Sequence, residues 1–386
     1  MTNPLDLRSS KILITGASGF IGGRLAEYLT LHYAADVRCL VRSYGKAVRL
    51  ARLPVTLLSG DLLNADAVQA AARECDIVFH CAFGASGTPE ERRRATVDGA
   101  QNILEAAAAA GAQRFVHVST IAVHGPDPSA RITEDTPLQY SNDVYADAKI
   151  DAEKLVNAYG ATRGLPVTIV RPTIVYGPRA GGWTVAQIQQ MRSGKQTLID
   201  SGAGIANHVY VDDVVQLLLL AAVRPEAVGQ AFIASHGTGV TWRDFFQHYA
   251  DLLGVELRNL SLETIAQQRK RMAQLRRPHN MGLSFAASPH AQSIVREMPV
   301  LGGLVQAAHR RIPGNIKESL LAHAVAMREI KLNPPALPRQ WMIDLFCAKG
   351  LCQIDKAQRL LGYRPQFNLA DGMQRTQFWL RDVGLV

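Results

Sequence analysis

The chain has 386 residues, 47% hydrophobic and 19% charged, which is enough to bury a large core and excludes a disordered chain. Its net charge of +9 is uneven: residues 255–340 hold thirteen Lys/Arg against five Glu, leaving the remainder near neutral. No apolar run reaches the roughly 18–20 residues that span a bilayer, and five scattered cysteines exclude a disulfide framework and a CxxC metal knuckle.

Short β-branched runs alternate with helical stretches through the first half. Strands are predicted at Lys11–Thr15, Val37–Val41, Val55–Ser59, Asp76–Cys81, Phe115–Ser119 and Val167–Arg171. Helices are predicted at Ile21–Leu31, Ala95–Ala110 and Tyr145–Tyr159. Strands joined by crossover helices imply a parallel sheet covered on both faces, an α/β fold of the doubly wound kind. After Gly177 the regularity fades through a Gly/Pro-rich loop, a turn at Ser201–Gly204 and the apolar helix Val214–Val223, and Phe232–Ser235 returns the chain to the sheet. Residues 255–340 read as helical, basic and broken by Pro278, Pro299, Pro313, Pro334 and Pro335. A solvated face is the default for such a charge run, and no nucleic-acid motif accompanies it.

Gly16, Gly19 and Gly22 fall between the first strand and the first helix, in Thr15–Gly22 (TGASGFIG). Such glycines let the backbone turn tightly and approach a pyrophosphate, which the helix N-terminus then receives. Ser18, Phe20 and Ile21 belong to the same turn. The second strand ends in Cys39-Leu-Val-Arg-Ser43 with no carboxylate to claim a ribose 2′-hydroxyl. Arg42, with Ser43 and Lys46, suits a 2′-phosphate instead, which favours NADP(H) over NAD(H). Tyr145 and Lys149 stand at i and i+4, on one face of a helix, where an ammonium is expected to lower the phenol pKa. Thr120 ends a predicted strand 25 residues earlier and offers a hydroxyl to a substrate oxygen.

TGASGFIG, Gly60-Asp-Leu62, Val118–Gly125 (VSTIAVHG), Tyr145–Lys149 (YADAK) and Arg171–Pro178 (RPTIVYGP) occur in the order typical of extended short-chain dehydrogenase/reductases. The chain resembles that family, the NAD-dependent epimerase/dehydratase group, over roughly its first 250 residues and again near Leu361–Pro365 (LGYRP). The resemblance implies a Rossmann domain at 1–180, rejoined at about 208–236, and a smaller C-terminal substrate-binding lobe at 181–207 and 237–386 that includes the insert 255–340. It implies that Gly16, Gly19 and Gly22 line the pyrophosphate, Asp61 and Leu62 flank the adenine, Cys81 and Ala82 border the cofactor cleft, and Pro172 sits near the nicotinamide. Thr120, Tyr145 and Lys149 take the catalytic places, and Trp183 and His208 fall in segments that line the substrate pocket.

Departures narrow the expected reaction. Sugar-nucleotide dehydratases of the family carry an Asp-Glu pair where this chain has Ile121 and Ala122. Many epimerases carry Asn at the place of Ile174 and Arg at that of His208. The expectation is an NAD(P)-dependent enzyme, a dehydrogenase or reductase acting on a secondary alcohol or ketone. The alternatives are a nucleotide-sugar epimerase with tightly bound NAD and, from another class, a non-catalytic dinucleotide sensor. The resemblance also suggests a homodimer, and the basic insert a lid over the pocket, ahead of docking an anionic carrier-linked substrate or touching a membrane surface. The first ten residues lack a secretory core, so a cytoplasmic setting with reduced thiols is expected. His117 reads as a satisfied core histidine, His124 as packing, and Asp212 and Asp213 as a helix N-cap. No metal site is expected.

Overall fold

The strand–helix alternation gives seven parallel strands, β1 (Lys11–Thr15), β2 (Asp36–Val41), β3 (Thr56–Ser59), β4 (Ile77–His80), β5 (Arg114–Val118), β6 (Val167–Pro172) and β7 (Gln230–Ala234). Their order across the sheet is β7-β6-β5-β4-β1-β2-β3. The reversal of direction between β1 and β4 is the point at which ligands bind in open α/β sheets. The computed structural model describes residues 5–125, 131–275 and 337–386.

Every residue of β4, β5 and β6 is buried, as strands covered on both faces must be. Leu13, Val78, Phe115 and Ile169 point to one face, where α2 (Ala65–Ala72), α3 (Pro89–Ala109) and α4 (Val144–Arg163) cover them with Val68, Ile103, Leu104 and Val156. Alternate residues such as Ile12, Ile14 and Val116 point the other way, toward the side of α1 (Phe20–Tyr33) and α6 (Val211–Val223). α5 (Ala186–Arg192) and α7 (Trp242–Leu253) follow the irregular stretch after Gly177.

Asp212 and Asp213 are structural, but not as a cap. The helix begins at Val211 with Tyr210 in the cap position, so both carboxylates lie in its first turn. Asp212 accepts from Arg24 of α1 at 2.6 Å, and Asp213 accepts the backbone N–H groups of Gln366 (2.6 Å) and Phe367 (3.2 Å). Asp213 thereby ties the C-terminal segment to the sheet unit, helped by the Tyr363 hydroxyl donating to Ser235 O at 3.2 Å.

The chain divides into two compact units. One is the sheet unit, Met1–Gln196, Gly202–Leu257 and Asp344–Val386. The other comprises Thr197–Ser201 and Arg258–Ile343. Within the second, Thr197–Ile199 pairs in parallel with Arg258–Leu260, and Arg269 on α8 (Leu262–Leu275) donates to Gln340 Oε1 (2.7 Å) and Pro338 O (2.8 Å). Most of the basic stretch 255–340 lies outside the described residues, Pro278, Pro299, Pro313, Pro334 and Pro335 among them. No helix among the described residues is long and apolar enough to cross a membrane.

Candidate active site

Gly16 has φ +72°, and a Cβ there would stand 2.7 Å from Ala82 N and 2.8 Å from Ala82 Cα. The turn after β1 therefore packs directly on the residues that leave β4, and a side chain would drive the two apart. A Cβ on Gly22 would meet Gly16 O at 2.6 Å, which keeps the first turn of α1 close beneath. Gly19 caps α1 with no side-chain hydrogen bond, and the first turn contains no acidic residue. The free N–H groups and the positive dipole end are thus left for an anion. Ser18 and Gly19 are exposed there, with Phe20 and Ile21 half-buried behind them.

Arg42, Ser43 and Lys46 follow β2 as exposed residues, and among the described residues Arg42 and Lys46 make no ion pair. Arg49, in contrast, is engaged by Glu27 of α1. Asp61 Oδ1 accepts Leu63 N at 2.9 Å, and Leu62 packs against Gly99 of α3 while its carbonyl accepts from Asn102 (2.8 Å). Cys81 and Ala82 are half-buried beside the glycine turn, and burial pushes the Cys81 thiol up to about 12.

Asp143 caps α4, its Oδ1 accepting the N–H groups of Tyr145 (3.0 Å) and Ala146 (2.9 Å). This places Tyr145 in the first turn and Lys149 one turn deeper. The Tyr145 ring meets Phe83 edge-on at 5.4 Å, and the Thr120 hydroxyl is near enough to lower the phenol pKa. Thr120 also accepts Ala122 N at 3.3 Å, starting a short 3₁₀ turn beyond β5. Lys149 is buried, donates to Val118 O at 2.7 Å, and lies 5.8 Å from the Phe83 ring centroid. The fold thus brings together Thr120, Tyr145 and Lys149 at the carboxyl edge of β5.

The expected depression of the phenol pKa is not found. Burial raises Tyr145, the Thr120 hydroxyl acts against it, and the ammonium is committed to a backbone oxygen. Burial also brings Lys149 down to about 8, with Cys81 and Glu153 pulling the other way.

Pro172 ends β6, buried and paired with Ala234 of β7. Trp183 and His208 have other neighbours. Trp183 packs at 5.3 Å from Trp242, and its carbonyl accepts from the Tyr249 hydroxyl at 2.9 Å. His208 is 1% exposed and stacks on His236 at 5.0 Å.

His117 is a core residue but not a satisfied one. Neither ring nitrogen has a partner among the described residues, and the ring stacks on His80 at 5.3 Å. His80 Nδ1 in turn bonds Thr15 Oγ1 at 2.7 Å. Thr15, His80 and His117 lie in register on adjacent strands, a polar row one step beyond Leu13, Val78 and Phe115 on the same face. His124 is buried, within 3.3 Å of Pro137 O and 3.4 Å of Arg171.

Phe83 and Glu153 escape a motif reading, and Arg171 stands in a motif without a role of its own. Phe83, 43% exposed, carries the ring shared by Tyr145 and Lys149, and its signal is an aromatic placed just past a buried strand. Glu153 and Arg171 form a buried ion pair beneath Lys149. The signal for Glu153 is an acidic residue one more four-residue step beyond Lys149.

Strand order, glycine turn and the Tyr145–Lys149 helix define an extended short-chain dehydrogenase/reductase, an NAD(P)-dependent enzyme. The chain belongs to the NAD dependent epimerase/dehydratase family, whose model matches residues 12–234. It is 30% identical over 257 residues to a 2-alkyl-3-oxoalkanoate reductase of Shewanella oneidensis, covering 61% of this chain and 65%, just under two thirds, of that one. It is 30% identical over 251 residues to a 4-hydroxy-2-methyl-3-oxo-4-farnesyl-3,4-dihydroquinoline-1-oxide ketoreductase of Stigmatella aurantiaca, covering 64% and 74%. The epimerase Mth375 of Methanothermobacter thermautotrophicus shares the fold, with TM-score 0.69, 21% identity, and 98% and 94% of the two chains covered.

Proposed function

We propose that this chain is an NADP(H)-dependent reductase that interconverts a ketone and a secondary alcohol. The observation that carries the reading is the Tyr145 phenol, with the Thr120 hydroxyl near enough to lower its pKa, one helical turn above buried Lys149. Both curated relatives named above are reductases of 3-oxo compounds by their names.

A dinucleotide fits the residues present. Any Cβ on Gly16 would push the glycine turn off Ala82, and the uncapped, acid-free start of α1 suits a pyrophosphate. Gly16, Ser18, Gly19, Phe20, Ile21 and Gly22 would hold it, with Asp61, Leu62, Cys81, Ala82 and Pro172 along its length. Arg42 would pair with a 2′-phosphate. A bound nicotinamide supplies or accepts the hydride.

The side chains move the proton. In reduction the Tyr145 hydroxyl gives its proton to the carbonyl oxygen, which the Thr120 hydroxyl holds in place. A phenol raised by burial keeps its proton at neutral pH, so it stands ready as an acid. Alcohol oxidation runs the same transfer backwards. Trp183 and His208, with the segments 181–207 and 237–386, carry the substrate side in this reading. A homodimer in the cytoplasm and a small-molecule substrate, anionic or carrier-linked, belong to it too.

The test is to denature the purified protein, identify any nicotinamide released, and titrate the cofactor-free chain with NADPH and NADH. An empty site that prefers NADPH is expected, with Arg42→Glu weakening NADPH by about tenfold or more. Tightly retained NAD(H) would instead favour an epimerase, the second reading, which the family description admits. A chain that binds neither dinucleotide would defeat both.

A further inference from the structure

Tyr145, Lys149 and Glu153 follow at four-residue steps along α4 and share one face of it. The first meets Thr120, the second Val118 O, and the third Arg171 of β6. Glu153 is wholly buried and the Arg171 side chain is 6% exposed. The contact is two-pronged, Arg171 Nε to Oε1 at 3.0 Å and Nη2 to Oε2 at 2.7 Å. Nη1 of Arg171 donates to Glu134 O at 3.0 Å, and Glu134 Oε1 accepts Ile233 N from β7 at 2.9 Å. The pair thus joins α4 to two strands through charge-assisted bonds of fixed geometry.

We propose that Glu153, clamped by Arg171, is a positioning residue for the Tyr145–Lys149 pair: it fixes the rotation of α4 on the sheet and keeps a negative charge one turn from the Lys149 ammonium. The proposal rests on the catalytic assignment of those two residues. Packing alone does not require charge at this place, because well-fitted apolar residues often replace a buried ion pair without loss of stability. What only a carboxylate supplies is its field on nearby groups.

Those groups can be named. Lys149 is faced by Cys81 beyond β4, His80 on β4, His117 on β5, and Tyr145 and Glu153 on its own helix. Burial keeps both imidazoles neutral, and holds the Cys81 thiol and the Tyr145 phenol protonated. Among these, Glu153 is the carboxylate, ion-paired with Arg171. The pull of Cys81 on Lys149 needs a thiolate, which forms only near pH 12.

The experiment is a pH titration of the full chain labelled with ¹³Cε-lysine, read by NMR, with Lys149 assigned by the peak missing from Lys149→Met. Glu153→Gln is expected to lower the Lys149 midpoint by about one unit. Arg171→Lys keeps a cation but loses the fork, and should lower Tm while leaving that midpoint in place. If Glu153→Gln does not fold, the paired change Glu153→Gln with Arg171→Met carries the test, since the carboxylate is gone without stranding the guanidinium. A Lys149 midpoint unmoved in folded Glu153→Gln, or in the paired variant where the single change does not fold, overturns the proposal. The titration reads the ammonium directly, so it remains informative even if the reductase reading fails on the cofactor test.

Discussion

At the scale of single residues, the division of work between Tyr145, Thr120 and Lys149 makes a clear demand on mutagenesis. Tyr145→Phe keeps the ring that meets Phe83 at 5.4 Å and removes only the hydroxyl. Turnover should fall by about 10²–10⁴-fold, the usual worth of a placed proton donor, with dinucleotide affinity and Tm close to the parent. Steady-state kinetics beside a cofactor titration measure both, and near-parent turnover would remove Tyr145 from the chemistry. The pairing of Tyr145 with Lys149 on one face was legible in the sequence, because a four-residue step on a helix leaves no other arrangement. The electrostatics were not. Periodicity says which side chains share a face, but not that Val118 O lies beneath the ammonium or that burial dominates the phenol. His117 shows the same limit: its place in a core strand was legible, while its unpaired ring nitrogens depend on the neighbours opposite.

At the scale of elements, α4 is held at both ends of its working face. Asp143 fixes its start through two backbone N–H groups, one of them that of Tyr145 itself, and Glu153 fixes its middle. Asp143→Ala should cost about 1 kcal/mol of stability, the usual loss when an N-cap oxygen is removed, whereas Asp143→Asn should restore most of it. Chemical denaturation measures this, and an alanine variant as stable as the parent would show that the cap contributes nothing. The strands of the sheet and α1 were predictable because β-branched runs and the glycine turn are local signals. The start of α6 was misplaced because the Asp212-Asp213 pair looks like a cap. Their actual partners, Arg24 and the backbone of Gln366 and Phe367, lie 188, 153 and 154 residues away in sequence. Contacts of that range have no local signature.

For the molecule as a whole, the buried histidines tie stability to pH. His80 is lowered to about 3 and His208 to about 4, and His117 falls well below 6.5, burial being the largest cause in each. Their unfolded counterparts titrate near 6.5. Between these values the unfolded form of each ring binds more protons than the folded one, so the histidines' contribution to stability rises with pH through the window and levels off above about 6.5. Read downward, acidification from pH 7.5 to 5.5 should cost about 1 kcal/mol for each of the three. Urea denaturation midpoints across that range measure the loss. His117→Phe, which keeps a ring against His80 and removes one titrating group, should flatten the dependence by about 1 kcal/mol over that range. A pH-independent midpoint in the parent would mean that these rings reach solvent or a proton acceptor in the folded chain. The row Thr15–His80–His117 would then be a hydrated channel under the glycine turn rather than a dry extension of the core.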